Sequence, residues 1–190
     1  MTKLYYHLLE ILWVAWVLYW WLTARNASAA VRRESFLSQV GHLGPLTVAV
    51  LLLLPLRWPL GVLNNFVFGD RYALYAIGLI ITAIALAFSV WARITIGRNW
   101  SGIVTVKQGH ELIRNGPYRW VRHPIYTGLI FGFVGTALAL DEWRGWLAVA
   151  ITFAALWRKL RLEERWMSEQ FGDQYIEYRK HTAALIPFIL

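Results

Sequence analysis

The chain has 190 residues, of which 58% are hydrophobic and 16% are aromatic, and its formal net charge is +8. Such an apolar composition is unusual for a soluble domain and indicates an integral membrane protein. The basic residues stand beside apolar runs and do not form one stripe, so membrane orientation and anionic headgroups explain the charge better than nucleic acid does. Because the chain has no cysteine, it has no disulfide, thiolate nucleophile or thiolate metal site.

Five apolar runs predict membrane helices, at residues 4–23, 36–56, 72–94, 125–140 and 143–157. The last two are short for a bilayer that needs about 20 residues per helix. Only Asp141, Glu142 and their neighbours separate these two runs, which predicts a tight helical hairpin. In the second run, Pro45 and Pro55 are expected to bend or end the helix. The fifth helix is expected to continue past the membrane until Gly172 stops it.

The basic residues favour one orientation of these spans. With the N-terminus outside, 15 of the 19 Lys and Arg residues fall on the cytoplasmic side. The positive-inside rule therefore predicts five spans with an external N-terminus and a cytoplasmic C-terminus. The first run is long and is interrupted by His7 and Glu10, which argues against a cleaved signal peptide. The sequons at Asn26 and Asn99 lie on the predicted cytoplasmic side, so neither is expected to be glycosylated.

The predicted fold is an all-α integral membrane helical bundle of five transmembrane helices, with a cytoplasmic loop and a C-terminal helical cap. No internal repeat or linker divides the chain, so residues 1–190 form one domain. Residues 1–92 make a three-span N-terminal part. Most polar motifs stand in residues 93–190, where the segment before the fourth span and the tail after the fifth can fold against each other.

The stretch before the fourth span combines charge with helix-starting residues. Pro124 suits the first turn of a helix, because the missing N–H is not needed there. The helix N-terminus, with Arg122 and His123 beside it, could bind an anion. A simple helix cap, with Arg122 touching lipid phosphate, is an equal alternative for this motif taken alone.

A second polar group follows the fifth span. Lys159 and Glu163 are four residues apart and share one helix face. With Glu164, Arg158 and Arg161 they could make ordinary ion pairs on a solvated helix. Their position near the basic loop instead suggests one site with carboxylates, guanidinium groups and a helix N-terminus. A ligand that is both anionic and cationic and has a large apolar part would suit it, and S-adenosylmethionine is such a ligand.

Several other cofactor classes lack their motifs. No Gly-x-Gly-x-x-Gly follows a strand, which excludes a Rossmann-type methyltransferase by pattern, and there is no Walker motif. There is no His-Glu-x-x-His, and the five His residues are scattered, so no metal site is expected. His7 and Glu10, three apart in the first span, could touch an incoming substrate or form an interfacial pair that snorkels.

The ordered motifs of the second half resemble the isoprenylcysteine carboxyl methyltransferase family, from about residue 93 to residue 187. The segments that carry the resemblance are Gly97-Arg98-Asn99-Trp100-Ser101, Gly109-His110-Glu111-Leu112-Ile113, Gly116-Pro117-Tyr118, Arg122-His123-Pro124-Ile125-Tyr126-Thr127-Gly128, Glu163-Glu164 and Phe171-Gly172-Asp173-Gln174-Tyr175-Ile176-Glu177-Tyr178. The Arg-His-Pro-x-Tyr piece is shared with phospholipid methyltransferases and, more loosely, with membrane sterol reductases.

The resemblance implies a membrane enzyme whose S-adenosylmethionine pocket opens to the cytoplasm under a C-terminal cap. Residues 93–190 are then the cofactor-binding half. The resemblance and the neighbouring motif residues together predict the cofactor contacts. These are His110, Leu112, Ile113, Tyr118, Arg122, His123, Pro124, Tyr126, Glu163 and Glu164. The family has an Arg near the substrate one turn before the Glu. Here that position is Lys159, with Arg158 and Arg161 close by, and Lys cannot make a bidentate fork to a carboxylate. The predicted catalytic group is therefore these three residues: either Lys159 holds the substrate as a point charge, or Arg158 or Arg161 takes over.

The sequence therefore predicts an S-adenosylmethionine-dependent methyltransferase acting on a lipid-like or small apolar substrate from the bilayer, with carboxylate O-methylation favoured. Methylation of a phospholipid amine or a small thiol on the same fold is one alternative. A nicotinamide-dependent membrane reductase and a non-catalytic membrane scaffold are others. No partner beyond membrane lipids and this substrate is expected, and the sequence indicates no oligomeric state.

Overall fold

The computed structural model describes residues 3–25, 30–54, 59–69, 71–107 and 111–187. Six α-helices and two β-strands occur in these ranges. In chain order they are α1 (Lys3–Ala24), β1 (Ala30–Arg33), α2 (Phe36–Leu53), α3 (Arg71–Ile96), β2 (Thr105–Lys107), α4 (Pro124–Leu140), α5 (Trp143–Phe171) and α6 (Asp173–His181). Single 3₁₀ turns lie at Gly61–Asn64, Gly97–Asn99 and Gly116–Arg119.

The five predicted runs correspond to α1 through α5. Helix α2 continues through Pro45 and ends at Leu53, a few residues before the predicted limit, and Pro55 lies outside the described residues. Helix α5 is a single helix of 29 residues that leaves the apolar run and continues to Phe171. Gly172 then ends it with φ +51°, a conformation that favours glycine, as predicted.

Three helices are long and apolar enough to cross a membrane, within residues His7–Ala24, Phe36–Leu53 and Tyr72–Asn99. Helix α4, Pro124–Leu140, is apolar but has only 17 residues. The molecule is therefore a multi-pass membrane protein. A count of five spans and an external N-terminus remain predictions.

The expectation of a wholly helical fold is wrong in one detail. Strands β1 and β2 pair antiparallel, with Arg33 opposite Thr105, and form a two-stranded sheet. The pairing continues past β1, where the Glu34 amide donates to the Val104 carbonyl at 3.1 Å. The two loops meet at one end of the bundle, and each satisfies backbone groups of the other. Neither strand has an alternation of apolar residues long enough to predict it.

Glycines allow α3 and α4 to approach closely. A Cβ atom added at Gly78 would lie 2.3 Å from the Gly135 carbonyl oxygen, and one added at Gly128 would lie 2.6 Å from the Ala85 carbonyl oxygen. Small residues at such positions are the usual means by which membrane helices pack backbone to backbone. This packing fixes the N-terminus of α4, which carries the His123-Pro124 motif, against the end of α3.

The two ends of the bundle differ. At one end Asp141, in the left-handed conformation with φ +54°, closes the α4–α5 hairpin and accepts from the Phe68 and Gly69 amides at 2.9 and 2.7 Å. At the other, which we call the polar end, the loop segments 30–36, 97–107 and 111–123 meet the second half of α5. Arg93 there donates to the Thr23 carbonyl at 2.7 Å. The Arg122 amide of the predicted loop donates to the Ala183 carbonyl of the C-terminal segment at 2.8 Å, so the predicted loop and cap lie together.

Candidate functional site

A cavity of about 410 Å³ lies inside the polar end. This volume is within the roughly 300–1,000 Å³ of small-molecule sites. Apolar and aromatic side chains make most of its wall, together with a few polar groups. It is lined by Trp20, Leu43, Leu46, Ile96, residues 99–105, residues 111–113, Tyr118, Arg122, His123, Ile125, Tyr126, Leu129, Leu156, Lys159, Glu163, Trp166, Met167, Tyr175 and Tyr178.

Glu163 is a carboxylate of the cavity wall, and two groups from the start of α4 hold it. The Tyr126 hydroxyl donates to Glu163 Oε1 at 2.5 Å. His123 Nδ1 lies 3.4 Å from Glu163 Oε2. The rings of His123 and Tyr126 stack nearly parallel, with centroids 5.4 Å apart. Because both residues stand at the Pro124-initiated helix start, the local helix geometry sets the position of the carboxylate.

The cluster keeps Glu163 ionised. Burial alone would raise the pKa of Glu163, but the hydrogen bond to His123 and the positive charge of Lys159 outweigh it, so the pKa lies below its usual value. Burial would likewise lower the pKa of His123, but its contacts with Glu163 and Glu164 raise it above 6.5. The cavity therefore presents a fixed negative charge beside an imidazole that tends to be protonated.

Of the three basic residues predicted to meet the substrate, Lys159, Arg158 and Arg161, Lys159 lines the cavity. It is buried, its Nζ donates to the Gly102 carbonyl at 2.7 Å, and Nζ lies 5.3 Å from the centre of the Tyr126 ring. Arg158 points elsewhere: its guanidinium lies over Gly41 of α2 and donates to the Ser38 carbonyl at 3.0 Å. Arg161 is exposed and is not part of the cavity wall.

Arg122 and Glu164 form a second polar unit. Arg122 also lines the cavity, whereas Glu164 does not. Arg122 Nε donates to Glu164 Oε1 at 2.7 Å, and both side chains are nearly buried. The Arg122 guanidinium also donates to the carbonyl of Thr182. The Arg122 and His123 amides donate to the carbonyls of Ala183 and Ala184 at 2.8 and 3.0 Å. The groups suggested as an anion site thus bind residues 182–187, which we call the C-terminal strap.

The pKa of Glu164 reflects this pairing. Burial would raise the pKa, but the contacts with His123 and Arg122 lower it to about 2. Glu164 does not line the cavity, and neither does Pro124, whose contribution is to start α4. Leu112, Ile113 and Tyr118 do line it, and their contact with a cofactor stays a prediction. His110 lies outside the described residues.

The cavity also contains residues that sequence reasoning missed. Trp20 of α1 and Leu43 and Leu46 of α2 come from the half of the chain without motifs. Arg93 stacks on Trp100, with Cζ 4.4 Å from the ring centre, and Trp100 meets Trp20 edge to face. No spacing distinguished these aromatic residues from the many others near the membrane interfaces. His7 and Glu10 bond to each other at 2.8 Å on an exposed face of α1, away from the cavity.

The residues of the cavity fit a ligand with a cationic group and an apolar body. Glu163 offers a partly buried carboxylate for an ammonium group, and the aromatic and aliphatic wall suits a flat ring. Among the described residues, no group of His, Cys, Asp and Glu is arranged to hold a metal ion.

Comparison with known proteins gives the family. The profile of the phospholipid methyltransferase family matches residues 73–174. The Protein-S-isoprenylcysteine O-methyltransferase of Saccharomyces cerevisiae is 30% identical over 187 residues, which cover 90% of this chain and 74% of that protein. Protein-S-isoprenylcysteine O-methyltransferase A of Arabidopsis thaliana is 32% identical over 119 residues, covering 59% of this chain and 58% of that protein.

The chain belongs to the isoprenylcysteine carboxyl methyltransferase family. It is a membrane methyltransferase of this type, which confirms the predicted enzyme class and sets the reductase and scaffold alternatives aside. The solved structure of the eukaryotic intramembrane Ras methyltransferase of the family has the same fold, with a TM-score of 0.55 and 23% identity. The match covers 84% of this chain but 55% of that structure.

Proposed function

We propose that the chain transfers a methyl group from S-adenosylmethionine to a lipid-like or small apolar acceptor that reaches the cavity from the bilayer. The observation that carries the proposal is the cavity itself, which joins a partly buried, ionised carboxylate to a mainly apolar wall. Membership of a methyltransferase family supports a methyl donor of this kind. When bound, S-adenosylmethionine supplies a methyl group already activated by a cationic sulfur.

The chain's own residues then bind and align the reactants. Glu163 accepts from the ammonium group of the donor, and Tyr126 and His123 hold the carboxylate in place. Pre-set acceptors of this kind reduce the reorganisation needed at the reacting centre, so the main catalytic contribution is positioning. The apolar wall contributed by Trp20, Trp100 and Trp166 excludes water from the transfer.

The acceptor is proposed to approach beside α2. Leu43 lines the cavity and is also 43% exposed on the outer surface of that helix, which supports a lateral path from the bilayer. Lys159, inside this path, offers a point charge to a carboxylate or phosphate. A carboxylate acceptor needs no general base, so O-methylation is the favoured reaction. The relatives are named for isoprenylcysteine O-methylation, and a prenylcysteine carboxylate is one acceptor of this kind.

Methylation of a phospholipid amine is the second candidate, favoured by the match to the phospholipid methyltransferase profile. An amine acceptor must lose a proton, and a cavity carboxylate or imidazole would have to take it. Glu163 and His123 already pair with each other, which makes this assignment less favourable than O-methylation. A small thiol would need the same deprotonation.

We also propose that the polar end faces the cytoplasm, with five spans and an external N-terminus. The basic asymmetry of the sequence supports this orientation. Because the chain has no cysteine, single Cys substitutions at Ser35, Asp173 and Val62 can be labelled from either side of sealed vesicles. Ser35 and Asp173 should react from the cytoplasmic side and Val62 from the opposite side; labelling of Val62 together with Asp173 would overturn the model.

Two measurements test the proposed reaction. S-adenosylmethionine, but not NADPH, should raise the thermal unfolding temperature of the purified protein, because only a bound ligand stabilises it. Labelled methyl transfer should then be compared for a farnesyl-cysteine derivative, phosphatidylethanolamine and a small thiol, in wild type and in Lys159→Arg. A point charge orients an acceptor less than a fork does, so wild type should be permissive and Lys159→Arg more selective for the carboxylate. Exclusive use of the prenylcysteine by wild type, with no gain from Arg, would contradict this.

A further inference from the structure

The cavity wall contains a buried hydroxyl with no hydrogen-bond partner among the described residues. It belongs to Thr105, the first residue of β2, which is 9% exposed and lines the cavity. A buried polar atom left unpaired is unfavourable and uncommon in native structures, and each case needs an explanation. A ligand group in the cavity would supply the missing partner.

The backbone around Thr105 is held firmly. Glu34, buried just before α2, accepts from the Val104 amide at 3.0 Å through Oε1, and its own amide donates to the Val104 carbonyl at 3.1 Å. Glu34 Oε2 accepts from the Ser38 hydroxyl at 2.7 Å. On the other side of the segment, Lys159 bonds to the Gly102 carbonyl at 2.7 Å. The Thr105 side chain therefore stands on a wall fixed from two helices.

The position of Thr105 indicates which part of the donor it meets. Strand β1, which pairs Arg33 with Thr105, also places Arg32 over the Trp166 ring, with Cζ 4.1 Å from its centre. Trp166 lies about one turn of α5 beyond Glu163 and lines the same cavity. The strand pair is thus adjacent to the part of the cavity near Trp166, beyond Glu163 along α5. If Glu163 binds the amino-acid part of the donor, the nucleoside part of the donor contacts the wall that includes Thr105.

We propose that the Thr105 hydroxyl binds the nucleoside part of the methyl donor, on a strand that Glu34 holds in place. This assignment rests on the proposed use of S-adenosylmethionine. A hydroxyl both donates and accepts, so it can pair with a ribose hydroxyl or with a ring or amino nitrogen of adenine. Thr105 then contributes specificity for a nucleoside-containing donor.

The chain offers a matched control. Thr152 of α5 is also buried, with 1% exposure, and its hydroxyl is also without a partner among the described residues, but it does not line the cavity. Replacement of either Thr by Val removes the hydroxyl at nearly constant volume. Thr105→Ser keeps the hydroxyl.

Calorimetric binding to the full-length protein in detergent, with S-adenosylmethionine and with methylthioadenosine, tests the assignment. Methylthioadenosine keeps the nucleoside and lacks the amino acid. Thr105→Val should weaken both ligands about two- to tenfold, the effect of one hydrogen bond. Thr105→Ser and Thr152→Val should bind like wild type, and Glu163→Gln should weaken S-adenosylmethionine while sparing methylthioadenosine.

Each contrary result has its own meaning. Wild-type affinity in Thr105→Val, or loss that spares methylthioadenosine, would overturn the role of Thr105 while leaving the proposed function intact. Equal losses of affinity in Thr105→Val and Thr105→Ser would also overturn it, because the shape of the side chain and not its hydroxyl would then determine binding. A wild-type protein that binds neither ligand would refute the proposed donor and this inference with it.

Discussion

Glu163 and Glu164 are neighbours in the chain, yet they serve different sides of α5. Glu163 faces the cavity, where Tyr126 and His123 position it and 21% of its side chain stays exposed for a ligand. Glu164 faces away, is nearly buried, and pairs with Arg122 to secure the C-terminal strap. His123 lies 3.4 and 3.5 Å from the two carboxylates and so connects the two sides. One carboxylate is thus placed for binding and the other for stability.

The largest expected effect belongs to the strap side. Glu164→Ala leaves Arg122 buried without its carboxylate, and such uncompensated buried charges cost about 3–5 kcal/mol of unfolding free energy. We expect about 3 kcal/mol, because the Thr182 and Arg179 carbonyls still accept from Arg122. Thermal unfolding in detergent measures it. Glu169→Ala, which breaks the exposed pair with Arg32, should cost under about 1 kcal/mol; equal losses would remove the distinction between the sides.

The reverse pattern is expected on the cavity side. Glu163→Gln should weaken S-adenosylmethionine binding by about 1.5–3 kcal/mol, the scale of a hydrogen bond to a charged group. The strap should keep its contacts, so the unfolding temperature without ligand should fall less than in Glu164→Ala. Calorimetry on both variants provides the test, with the exposed Glu177→Gln as the control. Unchanged affinity in Glu163→Gln would take this residue out of the binding site.

The pH dependence of stability should differ between the contributions of Glu164 and His123. The pKa of Glu164 is lowered from 4.5 to about 2, so its contribution to stability is present above pH 4.5 and is lost as the pH falls toward 2. The pKa of His123 is raised above 6.5, so its contribution is complete below pH 6.5 and is lost as the pH rises through the folded value. Unfolding temperatures should fall at both the acid and the alkaline limit. Glu164→Gln should flatten the acid limit and should also reduce the alkaline loss, because Glu164 is one of the two carboxylates that raise the pKa of His123.

The sequence predicted the helices and the polar residues near the cavity better than it predicted which of these residues face the cavity. Apolar runs located five helices, and Gly172 marked the end of α5 because a left-handed residue there suits glycine. The motifs selected His123, Tyr126 and Glu163, which line one cavity, and their role in binding a cofactor stays a prediction. They could not separate Glu163 from Glu164, since a rotation of about 100° per residue decides which helix face meets the cavity. Trp20, Leu43 and Thr105 were missed because tertiary packing alone brings them there.

The smallest expected effect comes from a single hydroxyl. Tyr126→Phe removes the bond to Glu163 Oε1, which helps to lower the pKa of that carboxylate. S-adenosylmethionine affinity should fall by about 0.5–1.5 kcal/mol, and the acid limit of the binding profile should move to higher pH. The matched control is Tyr178→Phe, whose hydroxyl donates instead to the Tyr118 carbonyl at 2.5 Å. That variant should lower stability and leave the acid limit in place. If both variants moved the acid limit equally, the Tyr126 hydroxyl would have no specific effect on the pKa of Glu163. The two sides of α5 would then act as one unit.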